Sequence, residues 1–179
     1  MSNQKLKVAI VGASGFTGSE LARLLLNHEG VSIEMITSES HVGKPFSDLH
    51  PQFFTRLDIP LVSAEEVSKQ KLDVIFLALP HGVSMDFVAK WKDSGAKIID
   101  LSGDFRLSTK EVYEEWYNKK HSYPEGFATA VYGLPELFAD KIKSATLVAN
   151  PGCFPTASIL SQVLQEQELK RVRLLISLM

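Results

Sequence analysis

The stretch "KVAIVGASGFTGSELARLLL", residues 7–26, decides the fold class. It opens with a strand-length apolar run, turns through three glycines, and continues as a segment whose leucines recur on one helical face. Similar pairs of an apolar run and a helical pattern follow along the chain, which is typical of βαβ units. The sequence therefore predicts an α/β fold with a Rossmann-like, doubly wound, mostly parallel sheet.

The other elements follow from the same alternation. Further strands are predicted within residues 31–38, 72–80, 96–107 and 145–153. Helices are predicted within residues 19–30, 81–95, 109–121 and 155–169. Two segments, residues 40–54 and 122–137, are rich in turn-forming residues and are predicted to be loops.

The glycine turn between the first strand and the first helix predicts a dinucleotide site. In a GxxGxxG spacing the first glycine permits a tight turn, the second lets the backbone approach a pyrophosphate, and the third lets the helix pack on the sheet. The N–H groups at the helix start then favour phosphate oxygens. The predicted cofactor-binding residues here are Gly12, Ser14, Gly15, Phe16, Thr17 and Gly18.

The residues after the second strand bear on which dinucleotide is bound. Glu39 fits the carboxylate that NAD enzymes place on the ribose 2′-OH. The hydroxyls of Ser38 and Ser40, with Lys44 just beyond, fit the donors and positive charge that a 2′-phosphate needs. Spacing alone leaves NAD and NADP open.

Cys153, in "NPGCFPT" (residues 150–156), is the only cysteine of the chain. It follows a strand end and precedes a predicted helix, where thiol pKa values can fall to roughly 3.5–7.5. Backbone N–H groups of such a turn are also available to a developing oxyanion. A free cysteine is as readily a small buried apolar residue, so local features leave both roles open.

Blocks spread along nearly the whole chain resemble the N-acetyl-gamma-glutamyl-phosphate reductases, which make the semialdehyde precursor of ornithine and arginine. These blocks are "VAIVGASGFTGSELARLL", "SDLHP", "LALPHGVS", "IIDLSGDFRL", "YGLPEL" and "VANPGCFPTAS". Of these, "GDFRL" and "NPGCFPT" are far more specific than the glycine turn.

The resemblance implies a mechanism. Cys153 matches the family nucleophile, which attacks the acyl phosphate of N-acetyl-L-glutamyl 5-phosphate and expels phosphate. The thioester then takes a hydride from NADPH and collapses to N-acetyl-L-glutamate 5-semialdehyde. The implied cofactor is therefore NADP, with Ser38 and Ser40 near its 2′-phosphate.

Further site residues are implied in the same way. The loop matched to the nicotinamide side comprises Pro80, His81 and Gly82. The residues matched to substrate binding and to the nucleophile turn are Arg106, Asn150 and Gly152. Arg106 would hold a substrate carboxylate or phosphate by a bidentate contact, although an Asp104–Arg106 or similar structural pair is an equally good role. Tyr132, in "YGLPEL", is expected to pack rather than react.

The resemblance also implies an incomplete site. The family takes its general acid and base from a histidine in a "GHRH"-like block of a second domain. None of the five histidines here lies in such a block. We expect residues 1–152 to form the NAD(P)-binding domain, and residues 153–179 to hold the nucleophile helix and the truncated start of a substrate and dimerisation domain. Residues 170–179 resemble the opening strand of that second domain. Family members are homo-oligomers, and the oligomeric state of this chain stays open.

Composition and charge limit the classes of partner that we expect. The formal net charge is −2 and the basic residues form no stripe, which argues against nucleic acid and anionic membranes. The N-terminus lacks a signal-peptide pattern, and one cysteine cannot form an internal disulfide. We expect a cytoplasmic protein with a small-molecule acyl-phosphate substrate, no membrane or nucleic-acid partner, and no metal.

Three interpretations stay open at this stage. The chain is the cofactor-binding portion of a reductase, or a non-catalytic module that binds NADP without turnover. Alternatively it belongs to a sibling enzyme, such as aspartate-semialdehyde dehydrogenase or the acyl-phosphate reductase of carrier-protein lysine biosynthesis. "DLSGDFRL" and "YGLPEL" favour the arginine-pathway family over the aspartate one, and the lysine-pathway relative is harder to exclude.

Overall fold

A computed structural model of the protein describes residues 4–177, and their side chains as far as residue 167. Within this range, six strands form one sheet: β1 (Leu6–Val11), β2 (Val31–Ile36), β3 (Val74–Leu77), β4 (Lys97–Asp100), β5 (Ala130–Tyr132) and β6 (Leu147–Ala149). Every neighbouring pair is parallel. The predicted parallel α/β sheet is confirmed.

The strand order is β2-β1-β3-β4-β6-β5. The chain runs from β1 outward to β2, returns across β1 to β3, and continues away on the other side. The order therefore reverses between β1 and β3, and an open α/β sheet forms a ligand crevice outside the carboxyl ends of its strands at such a point. The carboxyl ends of β4 and β6 lie next along the same edge.

Helices and short 3-10 turns connect the strands. The helices are α1 (Phe16–Leu26), α2 (Phe46–Leu49), α3 (Ser84–Trp91), α4 (Lys110–Tyr117), α5 (Pro135–Ser144) and α6 (Cys153–Ser177). The 3-10 turns are Pro51–Phe53, Ala64–Lys69 and Pro124–Ala128. Ala9 and Val11 of β1 pack into one apolar cluster, whereas Ile10 packs into another with Ala22 and Phe46. Because side chains alternate along a strand, the sheet has a core on both faces.

Residues 40–54, predicted to be a loop, contain α2 and the Pro51–Phe53 turn. Phe46 is fully buried and its ring lies 4.8 Å, centroid to centroid, from that of Phe53. Both pack with Leu57 and Leu61 into the cluster that faces α1. The prediction was wrong because elements of three or four residues carry no periodic signal, while the burial of two aromatic rings holds them in place.

Residues 122–137, also predicted to be a loop, contain β5 and the start of α5. β5 has three residues and pairs with β6, so it is too short to show a strand period. α5 did carry a signal: Pro135 lies in its first turn, with Lys141 and Lys143 in its last. Proline at a helix start and basic residues at its end both favour a helix.

The strand expected at residues 170–179 is wrong as far as the structure describes the chain. One helix, α6, runs from Cys153 to Ser177. No glycine or proline follows Pro155, and the segment is rich in leucine, glutamine, glutamate, lysine and arginine, which are strong helix formers. Leu178 and Met179 lie outside the described residues, and the domain division at residue 152 stays a prediction. Among the helices described, none is long and apolar enough to cross a membrane.

Candidate functional site

The glycine turn brings the ends of β1 and β3 close together. Gly12 has a φ of +85°, which favours glycine, and a Cβ there would overlap the carbonyl oxygen of Ala78. A Cβ on Gly18 would lie 2.5 Å from the carbonyl oxygen of Gly12. Gly12 thus permits the tight turn, and Gly18 permits the close packing of α1 on that turn.

The start of α1 offers N–H groups to a ligand. The N-cap residue Gly15 makes no side-chain bond to the first turn, and that turn carries no acidic residue. The first N–H groups of a helix have no acceptor within the helix, which leaves those of Phe16, Thr17 and Gly18 for a ligand. The positive end of the helix dipole lies at the same place. The local geometry fits a bound pyrophosphate.

A cleft of about 790 Å³ opens over the glycine turn. Its walls are the glycine turn, the residues after β2 and the residues after β3. The predicted cofactor residues that line it are Gly12, Ser14, Gly15, Phe16, Thr17, Ser38, Ser40 and Pro80. Gly18, His81 and Gly82 do not line it. The cleft has the size of a small-molecule site and lies at the reversal of strand order, where dinucleotides bind in this fold.

Polar side chains gather where β2 ends. Ser40 Oγ lies 2.9 Å from His41 Nδ1, and Ser38 Oγ lies 3.4 Å from both atoms. The neighbouring Glu39 also lines the cleft, but its Oε1 accepts the N–H of Ala64 at 2.8 Å. Sequence reasoning did not single out His41, which directly follows Ser40 and does not itself line the cleft.

The turn after β3 faces in two directions. Pro80 and Val83 line the cleft. His81 instead contacts the loop after β4: its Nδ1 accepts the N–H of Gly103 at 2.6 Å, and its ring lies 5.5 Å from that of Tyr117. Because Nδ1 accepts, the ring proton of a neutral His81 is on Nε2. The structure therefore places His81 beside the cleft wall rather than on it.

Cys153 is the first residue of α6 and is exposed. The predicted order of strand, turn, cysteine and helix is confirmed. Phe154 follows and is 84% exposed, and Pro155 has no N–H to donate. The helix supplies no acceptor to the N–H groups of its first turn, so those of Cys153 and Phe154 are open to an oxyanion.

The turn before Cys153 is fixed by backbone bonds. The N–H of Asn150 donates to the carbonyl oxygen of Asp100 at 2.8 Å, which ties the end of β6 to β4. The N–H and Oγ1 of Thr156 both donate to the carbonyl oxygen of Gly152, at 3.1 and 2.8 Å. Gly152 and Asn150 therefore shape the turn before Cys153 through their backbones.

Arg106 is half-buried and clamps this turn. Its Nε donates to the carbonyl oxygen of Asn150 at 2.7 Å, and its Nη2 donates to that of Leu101, also at 2.7 Å. Asp104 bonds other groups, so the structural role of Arg106 lies in its bonds to these two carbonyl oxygens and not in a pair with Asp104. Nη1 faces Gly152, since a Cβ built there would lie 3.2 Å from it. One edge of the guanidinium thus remains for a ligand.

A cavity of about 470 Å³ lies beside Cys153. Its lining residues are Arg106, Leu107, Tyr117, Tyr132, Gly152, Cys153, Phe154 and Pro155. Tyr132, which sequence reasoning assigned to packing, and Tyr117, which it passed over, both lie here. Their signal was position: Tyr132 is the last residue of β5 and Tyr117 is the last residue of α4. Among the described residues, the lining includes no histidine and no carboxylate.

The loop after β4 is held by buried polar groups. The side chain of Asp100 accepts the N–H and the hydroxyl of Ser102, at 2.9 and 2.8 Å, and burial raises the pKa of its carboxyl. His121 Nε2 lies 2.9 Å from the carbonyl oxygen of Asp104, and its Nδ1 accepts the N–H of Tyr123. Burial lowers the pKa of the His121 imidazole, which favours this neutral form.

Comparison with known proteins identifies relatives of this arrangement. Residues 7–145 match the family described as "Semialdehyde dehydrogenase, NAD binding domain". An N-acetyl-gamma-glutamyl-phosphate reductase of Methanosphaera stadtmanae is 52% identical over 159 residues, which are 89% of this chain and 45% of that protein. A LysW-L-2-aminoadipate/LysW-L-glutamate phosphate reductase of Saccharolobus solfataricus is 48% identical over 159 residues, 88% of this chain and 45% of that protein. The chain thus spans about half the length of these curated relatives.

Solved structures share the fold at low identity. Aspartate semialdehyde dehydrogenase II of Vibrio cholerae matches with a TM-score of 0.58 and 20% identity, over 86% of this chain and 40% of that one. Aspartate semialdehyde dehydrogenase of Candida albicans, crystallised with NADP, matches with a TM-score of 0.51 and 21% identity, over 60% of this chain and 32% of that one. These likenesses concern the fold alone.

Proposed function

The chain belongs to the semialdehyde dehydrogenase NAD-binding domain family, and from that premise we propose that it binds NADP(H) and carries the nucleophile of an acyl-phosphate reductase. The proposed substrate is N-acetyl-L-glutamyl 5-phosphate and the product N-acetyl-L-glutamate 5-semialdehyde. One observation carries the proposal: the glycine-turn cleft and the cavity of Cys153 adjoin on one sheet edge. Leu101 lines the first, and its carbonyl oxygen binds Arg106, which lines the second.

The residues of the cleft fit a dinucleotide. The glycine turn and the N–H groups that open α1 would hold the pyrophosphate. The hydroxyls of Ser38 and Ser40 and the ring of His41 form a group of donors that would hold a 2′-phosphate. The bond from Ala64 to Glu39 supports this choice, because it occupies one oxygen of the carboxylate that NAD would need. Pro80 would border the nicotinamide, with His81 and Gly82 behind it.

The residues of the cavity fit the chemistry of a thioester. The Sγ of Cys153 would bond to the acyl carbon while the bond to the phosphate oxygen breaks and phosphate leaves with the electron pair. The N–H groups of Cys153 and Phe154 would stabilise the oxyanion, and the free edge of Arg106 would hold the substrate phosphate or carboxylate. NADPH supplies the hydride when bound. The aldehyde leaves as the C–S bond breaks and the sulfur takes a proton. A thiol nucleophile must stay reduced, which supports a cytoplasmic location.

We propose that the chain by itself turns over little substrate. Proton transfer needs a general acid or base near the thiol, and the described residues that line the cavity include neither a histidine nor a carboxylate. The test is phosphate-dependent oxidation of N-acetyl-L-glutamate 5-semialdehyde by the purified chain with NADP+, followed by NADPH absorbance. No steady turnover is expected. Rates typical of a complete enzyme would contradict the proposal.

Formation of the thioester tests the nucleophile separately, because the first step requires only thiol attack. The chain is incubated with N-acetyl-L-glutamyl 5-phosphate without cofactor, and its intact mass is measured. One added N-acetylglutamyl group is expected on the wild type and none on Cys153→Ser. An unmodified wild-type chain, or equal modification of the variant, would rule out Cys153 as the nucleophile.

A substitution that adds a negative charge tests whether the cofactor is NADP or NAD. Ser40→Asp places a carboxylate where the 2′-phosphate is proposed to lie, so NADPH affinity should fall about tenfold or more while NADH affinity stays unchanged. The matched control is Ser68→Asp, the same change at an exposed serine outside the cleft. Equal losses for NADPH and NADH would contradict the proposed 2′-phosphate site.

A second candidate substrate is an aminoadipyl or glutamyl phosphate attached to a carrier protein. The relative named for that activity is 48% identical, close to the 52% of the first. The thioester experiment separates the two candidates: the carrier-bound acyl phosphate should modify Cys153 faster if it is the substrate.

A further inference from the structure

Asp104 is a buried carboxylate at the junction of the two sites. It is fully buried, and its side chain accepts three hydrogen bonds. Oδ1 accepts the N–H of Gly82 at 2.7 Å and the hydroxyl of Tyr113 at 3.1 Å. Oδ2 accepts the N–H of Met85 at 3.2 Å. The three donors come from two different helical regions, so this single side chain joins them.

One set of these bonds fixes the wall of the cofactor cleft. α3 has no side-chain cap of its own, and Gly82 and Met85 flank its start. Asp104 therefore acts as a distant N-cap, with its negative charge at the positive end of the helix dipole. Pro80 and Val83, which line the cleft, belong to the same turn. The position of that wall depends on a residue far away in the sequence.

Backbone hydrogen bonds of Gly103 and Asp104 hold the loop after β4 in place. Its N–H donates to Ser102 Oγ at 3.1 Å, and its carbonyl oxygen lies 2.9 Å from His121 Nε2. The N–H of the preceding Gly103 donates to His81. The loop is thus held immediately before Arg106, whose side chain bonds the carbonyl oxygen of Asn150 in the nucleophile turn.

We propose that Asp104 is a positioning residue: it aligns Arg106 with the turn of Cys153 and ties this alignment to the wall of the cofactor cleft. The inference deepens the proposed function, on which it rests for the role of Cys153. Arg106 lines the cavity of the thiol, and a nearby guanidinium favours the thiolate, which is the reactive form, over the thiol. A displaced Arg106 would therefore make Cys153 react more slowly.

The experiment measures alkylation of Cys153 by iodoacetamide as a function of pH. The chain has one cysteine, so intact mass reports this site alone. Asp104→Asn keeps the shape but puts an amide N–H group against one of the N–H donors. Arg106→Gln removes the guanidinium. Each variant is expected to alkylate about fivefold more slowly than the wild type, at pH 7 and at the other pH values measured. Asp86→Asn, the same change at an exposed position of α3, should stay at the wild-type rate.

The double variant decides whether Asp104 acts through Arg106. Independent substitutions multiply their effects on the alkylation rate, whereas substitutions within one network do not. We expect Asp104→Asn with Arg106→Gln to react no more slowly than the slower single variant. A multiplied effect, or a wild-type rate for Asp104→Asn, would overturn the proposal.

A milder substitution keeps the proposal testable if Asp104→Asn does not fold. Tyr113→Phe removes one of the three donors and should slow alkylation in the same direction but less. If Asp104→Asn does not fold, a wild-type rate for Tyr113→Phe at every pH measured would overturn the proposal. The alkylation needs no cofactor, so a failure to bind NADPH would count against the proposed function and leave this result intact.

Discussion

The cofactor cleft and the cysteine cavity lie on one sheet edge but are built differently. The cleft is lined by four strand ends and the start of α1, over the core clusters of both sheet faces. The cavity is walled by the loop after β4, the ends of α4 and β5, and the first turn of α6, where Cys153 and Phe154 are exposed. The cleft therefore depends on the packing of the sheet, whereas the cavity depends on a loop and on element ends beside an exposed helix start.

The largest effect is expected at the glycine turn. Gly12→Ala combines a left-handed φ with overlap on the carbonyl oxygen of Ala78, so it should cost roughly 3–5 kcal/mol of unfolding free energy and abolish NADPH binding. Gly43 has a similar φ of +83° but open space around it. Gly43→Ala should cost only about 1 kcal/mol and leave NADPH affinity unchanged. Urea unfolding and NADPH fluorescence measure both quantities. Equal behaviour of the two variants would show that close approach at Gly12 is not what forms the cleft.

The next prediction compares one phenylalanine from each region. Phe46 is 0% exposed behind the cleft, whereas Phe154 is 84% exposed beside the thiol. Phe46→Ala should cost about 3–5 kcal/mol, because it leaves a cavity in the core. Phe154→Ala should change stability by no more than about 0.5 kcal/mol. Chemical denaturation of both variants checks the comparison, and a large loss for Phe154→Ala would mean that α6 packs against the domain more than its exposure indicates.

The smallest effect concerns the loop between the two regions. Burial lowers the pKa of His121 below its ordinary value of 6.5, so the folded chain binds fewer protons than the unfolded one below that pH. The stability that neutral His121 provides is therefore present above pH 6.5 and is lost as the pH falls below it. Asp104 and Glu114 oppose this shift and Lys110 adds to it. Urea unfolding at pH 7.5 and 5.5 should show a smaller loss for His121→Gln than for the wild type. An equal loss would contradict the assignment to His121.

The sequence predicted the parts of this molecule that depend on local patterns. Apolar strand runs, the glycine spacing and the turn-then-helix context of Cys153 each follow from neighbours in the chain, and the structure has all three. Phe46 and Phe53 were read as loop residues because their burial depends on packing against α1. Residues 170–177 were read as a strand through resemblance, although their own composition favours a helix.

The sequence predicted which residue types lie at the candidate site, but not which groups those residues bond. Arg106 was predicted to bind substrate, which stays a prediction, and its bonds to the carbonyl oxygens of Leu101 and Asn150 depend on the pairing of β4 with β6. Tyr117 was missed because its place beside the cavity depends on where α4 ends in space. Asp104 was considered only as a neighbour of Arg106, while its donors come from α3 and α4.

A calorimetric titration of the purified chain with NADPH tests the central claim most directly. That claim is that the cleft over the glycine turn is a complete dinucleotide site. We expect saturable binding of one NADPH per chain, with weaker binding of NADH. Absence of saturable binding by a folded chain would contradict it.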